Sequence, residues 1–536
     1  MSWLLLPLIV FTLSWPAGQL EESVVEVIVQ ATDLQSAVAA VHGVGGELTH
    51  ELGIIDAVGA RLSERQLAQL NELGAVRKVH SNRSVAVRAH GGGNPNIPTT
   101  AYPAVIRADE LHAEGITGAG VTVAVLDTGF NRRAGSNHRP LAHYDAIWNI
   151  ELETSVTSDY NGHGSHVESV IFNADTAADQ PGHASNGLAP NAELVAVRAF
   201  DWFGNGTYLD VIRGLDWIVA HRETYDIRIL NLSLGAAPLS HYWQDPLNQA
   251  VMAAWQAGIV VVASAGNTGP DPMTIGVPGN VPYVITVGAM SDALTGEGSD
   301  DFLASFSAAG PTWDGFVKPD LVAPGGHVMA RMDWLSVIPL THPEFHDGGK
   351  YFTMSGTSSA AAMVSGAAAL LLEAEPDLEP DEVKCRLMST ARVARDESGQ
   401  WAYSVFQQGA GLVDVYAAVH GGLDDCGNQG LDVAADLAGT AHFGGRAHLA
   451  PDGSYFVEGW EHFIWDGGYI GADGYIWPDG ETWPDGYIWP DGYIWPDGYI
   501  WPDGYIWPDG YIWPDGYIWP DGLPNVMGIN AWVPQE

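Results

Sequence analysis

Positive charge is what this chain has least of. Its 536 residues carry 22 Lys and Arg against 65 Asp and Glu, a formal net charge of -43. A surface of that sign repels polyanions, which argues against nucleic acid or an anionic membrane as partners. Cysteine is nearly missing too. Only Cys385 and Cys426 occur, with no clustered histidines beside them, which argues against a zinc site, while in an exported protein a disulfide between the two remains open. Long apolar runs are also scarce. The run from Trp3 to about Trp15 is too short to span a bilayer and ends in small residues, as a secretory signal does, although the usual Lys or Arg before it is missing. No other stretch reaches the roughly 20 apolar residues of a membrane helix. A secreted, soluble protein with a signal peptide over residues 1–18 and no transmembrane segment is therefore expected.

What is present divides into three textures. Hydrophobic residues make up 46% of the chain, enough for a sizeable core, and the length suits several domains. From Val24 to about Val87, VVEVIVQA, IIDAVGARLS and AVRKVHSNRSVAV read as strands. DLQSAVAAVHGVGG and SERQLAQLNELG, the latter opened by Ser63, read as helices. That alternation predicts a small α+β, ferredoxin-like unit over residues 20–88, with helices on one face of an antiparallel sheet. Residues 89–100, rich in Gly, Asn and Pro, form a linker. Between residues 101 and 425, VTVAVLDTG, ELVAVRAF, IRILNLSLG and IVVVASAGN are near-continuous apolar runs, as strands buried on both faces require. Helical segments such as YLDVIRGLDWIVAHR separate them, so a doubly wound, mainly parallel α/β sheet is expected. Residues 426–462 read as a second linker. From Phe463 to Gly522 the chain falls into ten six-residue units, seven of them YIWPDG, which marks a repeat module; residues 523–536 are a C-terminal tail.

Sites in such sheets form at the carboxyl ends of strands. There the sequence places Asp127 after one apolar run, Ser233-Leu234-Gly235 after another and Asn267 after a third. His163 lies among glycines in Asn161-Gly162-His163-Gly164-Ser165-His166 at the start of a helix. Ser355, Ser358 and Ser359 stand just before a long run of small apolar residues. An Asp, a His and a Ser are the parts of an activated nucleophile, since a serine hydroxyl needs a base, an orienting group for that base and donors for the oxyanion. A lone aspartate after a strand is more often a turn residue, and GHGSH alone could be a loop, so each element is weak by itself.

Taken in order, VAVLDTG, NGHGSHV, NLSLG, ASAGN, KPDLVAPG, SGTSSAAAMVSGAAAL and GAGLVDVYAAV resemble the subtilisin-like serine proteases, over roughly residues 100–422. The resemblance implies Ser358 as nucleophile, His163 as general base and Asp127 as the group that fixes the imidazole. It implies Asn267 in the oxyanion hole and Ser233, Leu234 and Gly235 pairing with extended substrate. His166 matches a structural position. No cofactor is required, and no metal ligand is identified. The Asn-rich calcium loop of many relatives is not recognisable in FNADTAADQPGHASNG, which leaves calcium open without a site. Ser359 and Ala362 depart from the family's usual Met and Pro.

The first unit resembles that family's inhibitory prodomain, which implies a zymogen that cleaves itself between about Val87 and Thr100. The expected partners are then polypeptide substrates and the protein's own prodomain. Pro-Asp-Gly in the repeat has turn chemistry, and its rows of Tyr and Trp suit stacking on polysaccharide or another cell-surface polymer. Two rivals share the scaffold: a catalytically weak adhesin, and a macrocyclase or maturation protease.

Overall fold

The computed structural model describes residues 24–52, 57–70, 73–81, 102–133, 140–175, 185–291, 302–396, 401–423, 426–465 and 527–529. The expected signal peptide (1–18), the 89–100 linker and all but the first residues of the 463–522 repeat lie outside them. The chain divides into two compact units, residues 1–88 and 89–536.

In the first unit the strands Val24–Ala31, Glu47–Leu52, Ala57–Ser63 and Val76–Ser81 alternate with helices Leu34–Gly43 and Glu64–Leu70. Every pairing is antiparallel, which gives the βαββαβ pattern of a ferredoxin-like α+β unit. Val27, Val29, Val41, Val58, Leu62 and Leu70 are buried in one core. Ser63 opens the second helix with a capping box: Gln66 N–H donates to Ser63 Oγ, and Ser63 N–H donates to Gln66 Oε1 at 2.8 Å. The Glu47–Leu52 strand was not among those expected, because ELTHEL is polar enough to pass for a connection.

In the second unit the described residues form a nine-stranded sheet. Its order is Phe302–Leu303, Ile285–Ser291, Val260–Ser264, Ile227–Leu232, Thr122–Asp127, Glu193–Arg198, Ala142–Asp145 and Ile150–Glu151, with Leu321–Pro324 also paired to Ile285–Ser291. Pairing is parallel except for the short strands Phe302–Leu303 and Ile150–Glu151. The expected strands are buried along nearly their whole length, which is why each reads as an unbroken apolar run. Thr122–Asp127 lies between Glu193–Arg198 and Ile227–Leu232, where the chain crosses from one half of the sheet to the other, and a crevice opens at such a switch point.

A long helix, Thr357–Ala374, runs through the core with residues 357–372 buried. Its small residues allow that depth: a Cβ on Gly366 would come within 2.5 Å of the Leu188 side chain. Among the described residues it is the one helix long and apolar enough to cross a membrane, and it is enclosed by the protein.

Residues 426–462, read from sequence as a linker, are folded. Asp432 caps a short helix, Val433–Leu437, and Ala447–Leu449, Tyr455–Val457 and Trp460–Trp465 form an antiparallel sheet. Leu431, Val433 and Leu437 pack on the main core; Ala447, Tyr455 and Val457 pack with Trp401 and Phe406. So few anchors in a Gly- and Asp-rich stretch leave no periodicity to read. Cys385 and Cys426 are joined in a disulfide that ties this extension to the Pro380–Ser389 helix. A last strand, Met527–Ile529, lies between Leu234–Gly235 and Asn205–Gly206.

Candidate active site

Asp127 is the last residue of its strand and is buried. His163 Nδ1 stands 2.7 Å from Asp127 Oδ1 and 2.9 Å from Oδ2, and Thr128 N–H donates to the same Oδ1 at 2.7 Å. A carboxylate here only accepts, so Nδ1 carries the hydrogen and the lone pair of the neutral ring sits on Nε2. That Nε2 is buried and has no hydrogen-bond partner among the described residues. A buried base without a partner is costly in a fold.

The imidazole is aimed by a carboxylate that the sequence reading missed. Asp159 Oδ1 accepts from Thr128 Oγ1 (2.9 Å) and from the N–H groups of Asn161 (3.0 Å) and Gly162 (2.8 Å). Its Oδ2 accepts from Ser165 N–H (2.8 Å) and Oγ (2.5 Å). These bonds hold the N-terminus of the histidine helix, His163–Phe172. The signal was present: an Asp ahead of Asn-Gly, just before a helix start, suits capping. Glycine is needed twice here. Gly162 has φ 108°, and a Cβ on Gly164 would come within 2.6 Å of the Gly129 carbonyl.

Ser358 lies in the first turn of Thr357–Ala374, where N–H groups and the positive end of the helix dipole converge. Its hydroxyl donates to the Ser233 carbonyl at 3.3 Å, and Ser233 Oγ donates to the Ser358 carbonyl at 2.9 Å. Behind them Ser365 Oγ donates to Asn231 Oδ1, and Asn231 Nδ2 to Ser233 Oγ, both at 2.9 Å. This buried relay fixes the backbone of Ser358. Asn267 Oδ1 accepts from Thr357 N–H (2.9 Å) and Oγ1 (2.8 Å). Because a backbone N–H can pair only with oxygen, this settles which branch of the amide is Nδ2. Of the other two serines, Ser355 Oγ accepts from His327 N–H, and Ser359 Oγ is buried without a hydrogen-bond partner among the described residues.

Leu234–Gly235 continues from Ser233, and Asn205–Gly206 lies on the far side of Met527–Ile529 in the same small sheet. Beside it the rings of Tyr160 and Trp202 pack at 5.0 Å, and Asn161 Nδ2 donates to the Trp202 carbonyl at 2.9 Å. Tyr160, Trp202, Phe203 and Leu209 are exposed, apolar side chains that sequence periodicity did not single out.

Two ionisable side chains on the His163 helix are pushed toward their neutral forms. Burial pushes the His166 imidazole down to about 3, helped by the neighbouring His163, so it remains a neutral group whose Nε2 lies 3.1 Å from the Val328 carbonyl. Burial, with the Asp159 and Asp127 carboxylates nearby, raises Glu168 well above the ordinary carboxylate range. Among the described residues no group of three or more His, Cys, Asp or Glu is gathered as a metal cluster.

The model of the subtilase family matches residues 118–411, over half of the chain. The chain belongs to the subtilases. Among curated relatives, this subtilase is 38% identical over 333 residues to serine protease AprX of Bacillus subtilis strain 168, covering 61% of this chain and 72% of that protein. It is 31% identical over 376 residues to subtilisin E of the same strain, covering 70% of this chain and 83% of that protein. Fervidolysin from Fervidobacterium pennivorans, a solved structure, matches with a TM-score of 0.47 at 24% identity, covering 76% of this chain and 63% of that one. The subtilase is a subtilisin-like serine protease, a hydrolase of peptide bonds. The structure brings Asp127 and His163 into direct contact, and sets Ser358 against Ser233 and, through Thr357, against Asn267.

Proposed function

We propose that this subtilase is a secreted serine endopeptidase in which Ser358 attacks the peptide carbonyl. One observation carries the reading: His163 is held by both oxygens of Asp127 while its other nitrogen is left without a partner. As a substrate enters, the Ser358 hydroxyl turns from the Ser233 carbonyl toward Nε2 and gives up its proton there. Hydrogen bonds of this kind tighten on going from the free enzyme to the substrate complex. Asp127 keeps the ring in the required tautomer and stabilises the imidazolium. The oxyanion forms within reach of Asn267 Nδ2 and the Ser358 N–H, and loss of the Asn donor costs about 2.7–4 kcal/mol of transition-state stabilisation. Nε2 then protonates the leaving amine. Water, deprotonated by the same nitrogen, releases the acyl group, so no cofactor takes part.

Extended substrate pairs with Ser233, Leu234 and Gly235 by strand addition, its apolar side chains meeting Tyr160, Trp202 and Phe203. The ferredoxin-like unit serves as the inhibitory prodomain, removed by cleavage between about Val87 and Thr100. Casein hydrolysis by the wild type and by Ser358→Ala tests the core of this reading, with N-terminal sequencing of the secreted forms. The alanine variant is expected to lose more than about a thousandfold in kcat, to resist fluorophosphonate labelling and to keep its N-terminal unit. Undiminished hydrolysis by Ser358→Ala would overturn the assignment.

A further inference from the structure

The strands Leu234–Gly235 and Asn205–Gly206 do not pair with each other. The strand between them belongs to the far C-terminus: Leu234 pairs with Ile529 and Gly235 with Gly528, antiparallel, while Met527 pairs with Gly206 and Gly528 with Asn205. Without it the two short strands would face each other across a gap one strand wide, roughly 9–10 Å, with their inward N–H and C=O groups unpaired. Such a gap is a site for strand addition, in which backbone hydrogen bonds supply affinity without demanding a side chain.

The groove also leads to the reacting serine. Moving from Gly528 to Ile529, the pairing passes from Gly235 to Leu234. The next residue along that strand is Ser233, whose carbonyl accepts the Ser358 hydroxyl. The C-terminal strand thus lies along the edge that leads through Ser233 to Ser358.

We infer that Met527–Ile529 is a tethered occupant of the substrate groove, an internal competitor that must leave before a polypeptide can pair there. This rests on the proposed role of Leu234–Gly235 in binding substrate. A strand of three residues gains little by itself, and covalent attachment supplies what is missing: rebinding is unimolecular, at an effective concentration that does not fall when the protein is diluted. The occupant blocks by population alone. If the groove is free in only a tenth of molecules, apparent affinity for substrate falls about tenfold while turnover of bound substrate is unchanged. The occupant is displaced without cleavage, so a high concentration of substrate, or removal of the tail, opens the enzyme.

The test compares the full chain, its Gly528→Pro variant and a chain ending at Gly522. In the middle strand of three, the Gly528 N–H faces one neighbour or the other, so proline deletes a ladder bond in either case. With a chromogenic peptide substrate, KM is expected to fall about tenfold in both altered proteins, with kcat within about twofold of the full chain. A synthetic peptide of residues 523–536 is expected to inhibit the shortened chain competitively, and the same peptide with proline for Gly528 to have no effect. Equal KM values in all three proteins, with no inhibition by the peptide, would overturn the inference. A fluorescein-labelled 523–536 peptide gives a readout free of catalysis. Saturable binding to the shortened chain, at least about tenfold weaker in the full chain, supports the tethered occupant; absent or equal binding refutes it. If no form hydrolyses peptide, the protease reading falls, and this binding measurement still decides the matter of the tail.

Discussion

At the residue scale, the geometry of His163 depends on Asp159 as much as on Asp127. Burial raises the Asp159 carboxyl, and the Gly162 and Ser165 hydrogen bonds oppose that rise. Replacing it with alanine would orphan the buried N–H groups of Asn161, Gly162 and Ser165, at about 1–3 kcal/mol for each one that finds no substitute. Asp159→Ala is therefore expected to lose more than about 3 kcal/mol in denaturant unfolding. A shift of about 1 Å in the ring would lower kcat about a hundredfold. An unchanged kcat in a folded variant would contradict this role. His163 and Asp127 were legible in the sequence through the order of motifs that resembles the subtilisin-like family; the glycine-flanked helix start and the strand tip alone were weak signals. Four of the five hydrogen bonds to Asp159 come from residues within six positions of it, a local capping pattern the sequence does carry; only the bond from Thr128, which links it to the Asp127 strand, has no trace in spacing.

At the scale of elements, the extension after Cys426 is fastened by more than the disulfide. Lys384 Nζ donates to Asn428 Oδ1 and Asn428 Nδ2 to the Tyr283 carbonyl, both at 2.9 Å. Asp436 accepts from the hydroxyls of Tyr242 (2.5 Å) and Tyr283 (3.1 Å). The disulfide closes a loop with a sequence separation of 41, for which chain entropy gives about 3–4 kcal/mol. Replacing both cysteines with alanine is expected to lower unfolding free energy by that amount, read as a lower denaturant midpoint, and to leave peptide hydrolysis intact. The strands expected from sequence are the ones buried on both faces. Ala142–Asp145 was passed over because it carries polar residues into the sheet: Asp145 Oδ2 accepts from Arg198 Nη1 at 2.7 Å, and His143 Nε2 lies 2.8 Å from Ser158 Oγ.

Across the whole molecule, buried imidazoles set a lower pH limit. Burial pushes His143 down to about 4 and His166 down to about 3 from an ordinary value of 6.5. Once unfolded, both take up protons near pH 6.5, whereas the folded protein refuses them until far more acid conditions. The unfolded state thus binds more protons in that window, and stability falls as pH drops from about 6.5 toward 4. Glu168 works in the opposite direction: raised by burial, it holds its proton to higher pH in the fold than in the unfolded chain, and costs stability as pH rises above its unfolded value. Melting temperatures at pH 7 and pH 4.5 are expected to show the acid loss, with a smaller difference in His143→Gln. An equal difference in that variant would remove His143 from the account.

Sequence alone determined the parallel core, the order of the reactive motifs and the capped helices. These follow from burial on both faces, from glycine placement and from side chains bonding their own neighbouring backbone, all of which leave local traces. Only the tertiary structure decided that Thr128 ties Asp159 to the Asp127 strand, that residues 426–462 fold, and that Met527–Ile529 lies between Leu234–Gly235 and Asn205–Gly206. Those outcomes depend on distances between segments far apart in the chain, and a strand of three residues is too short to show any period.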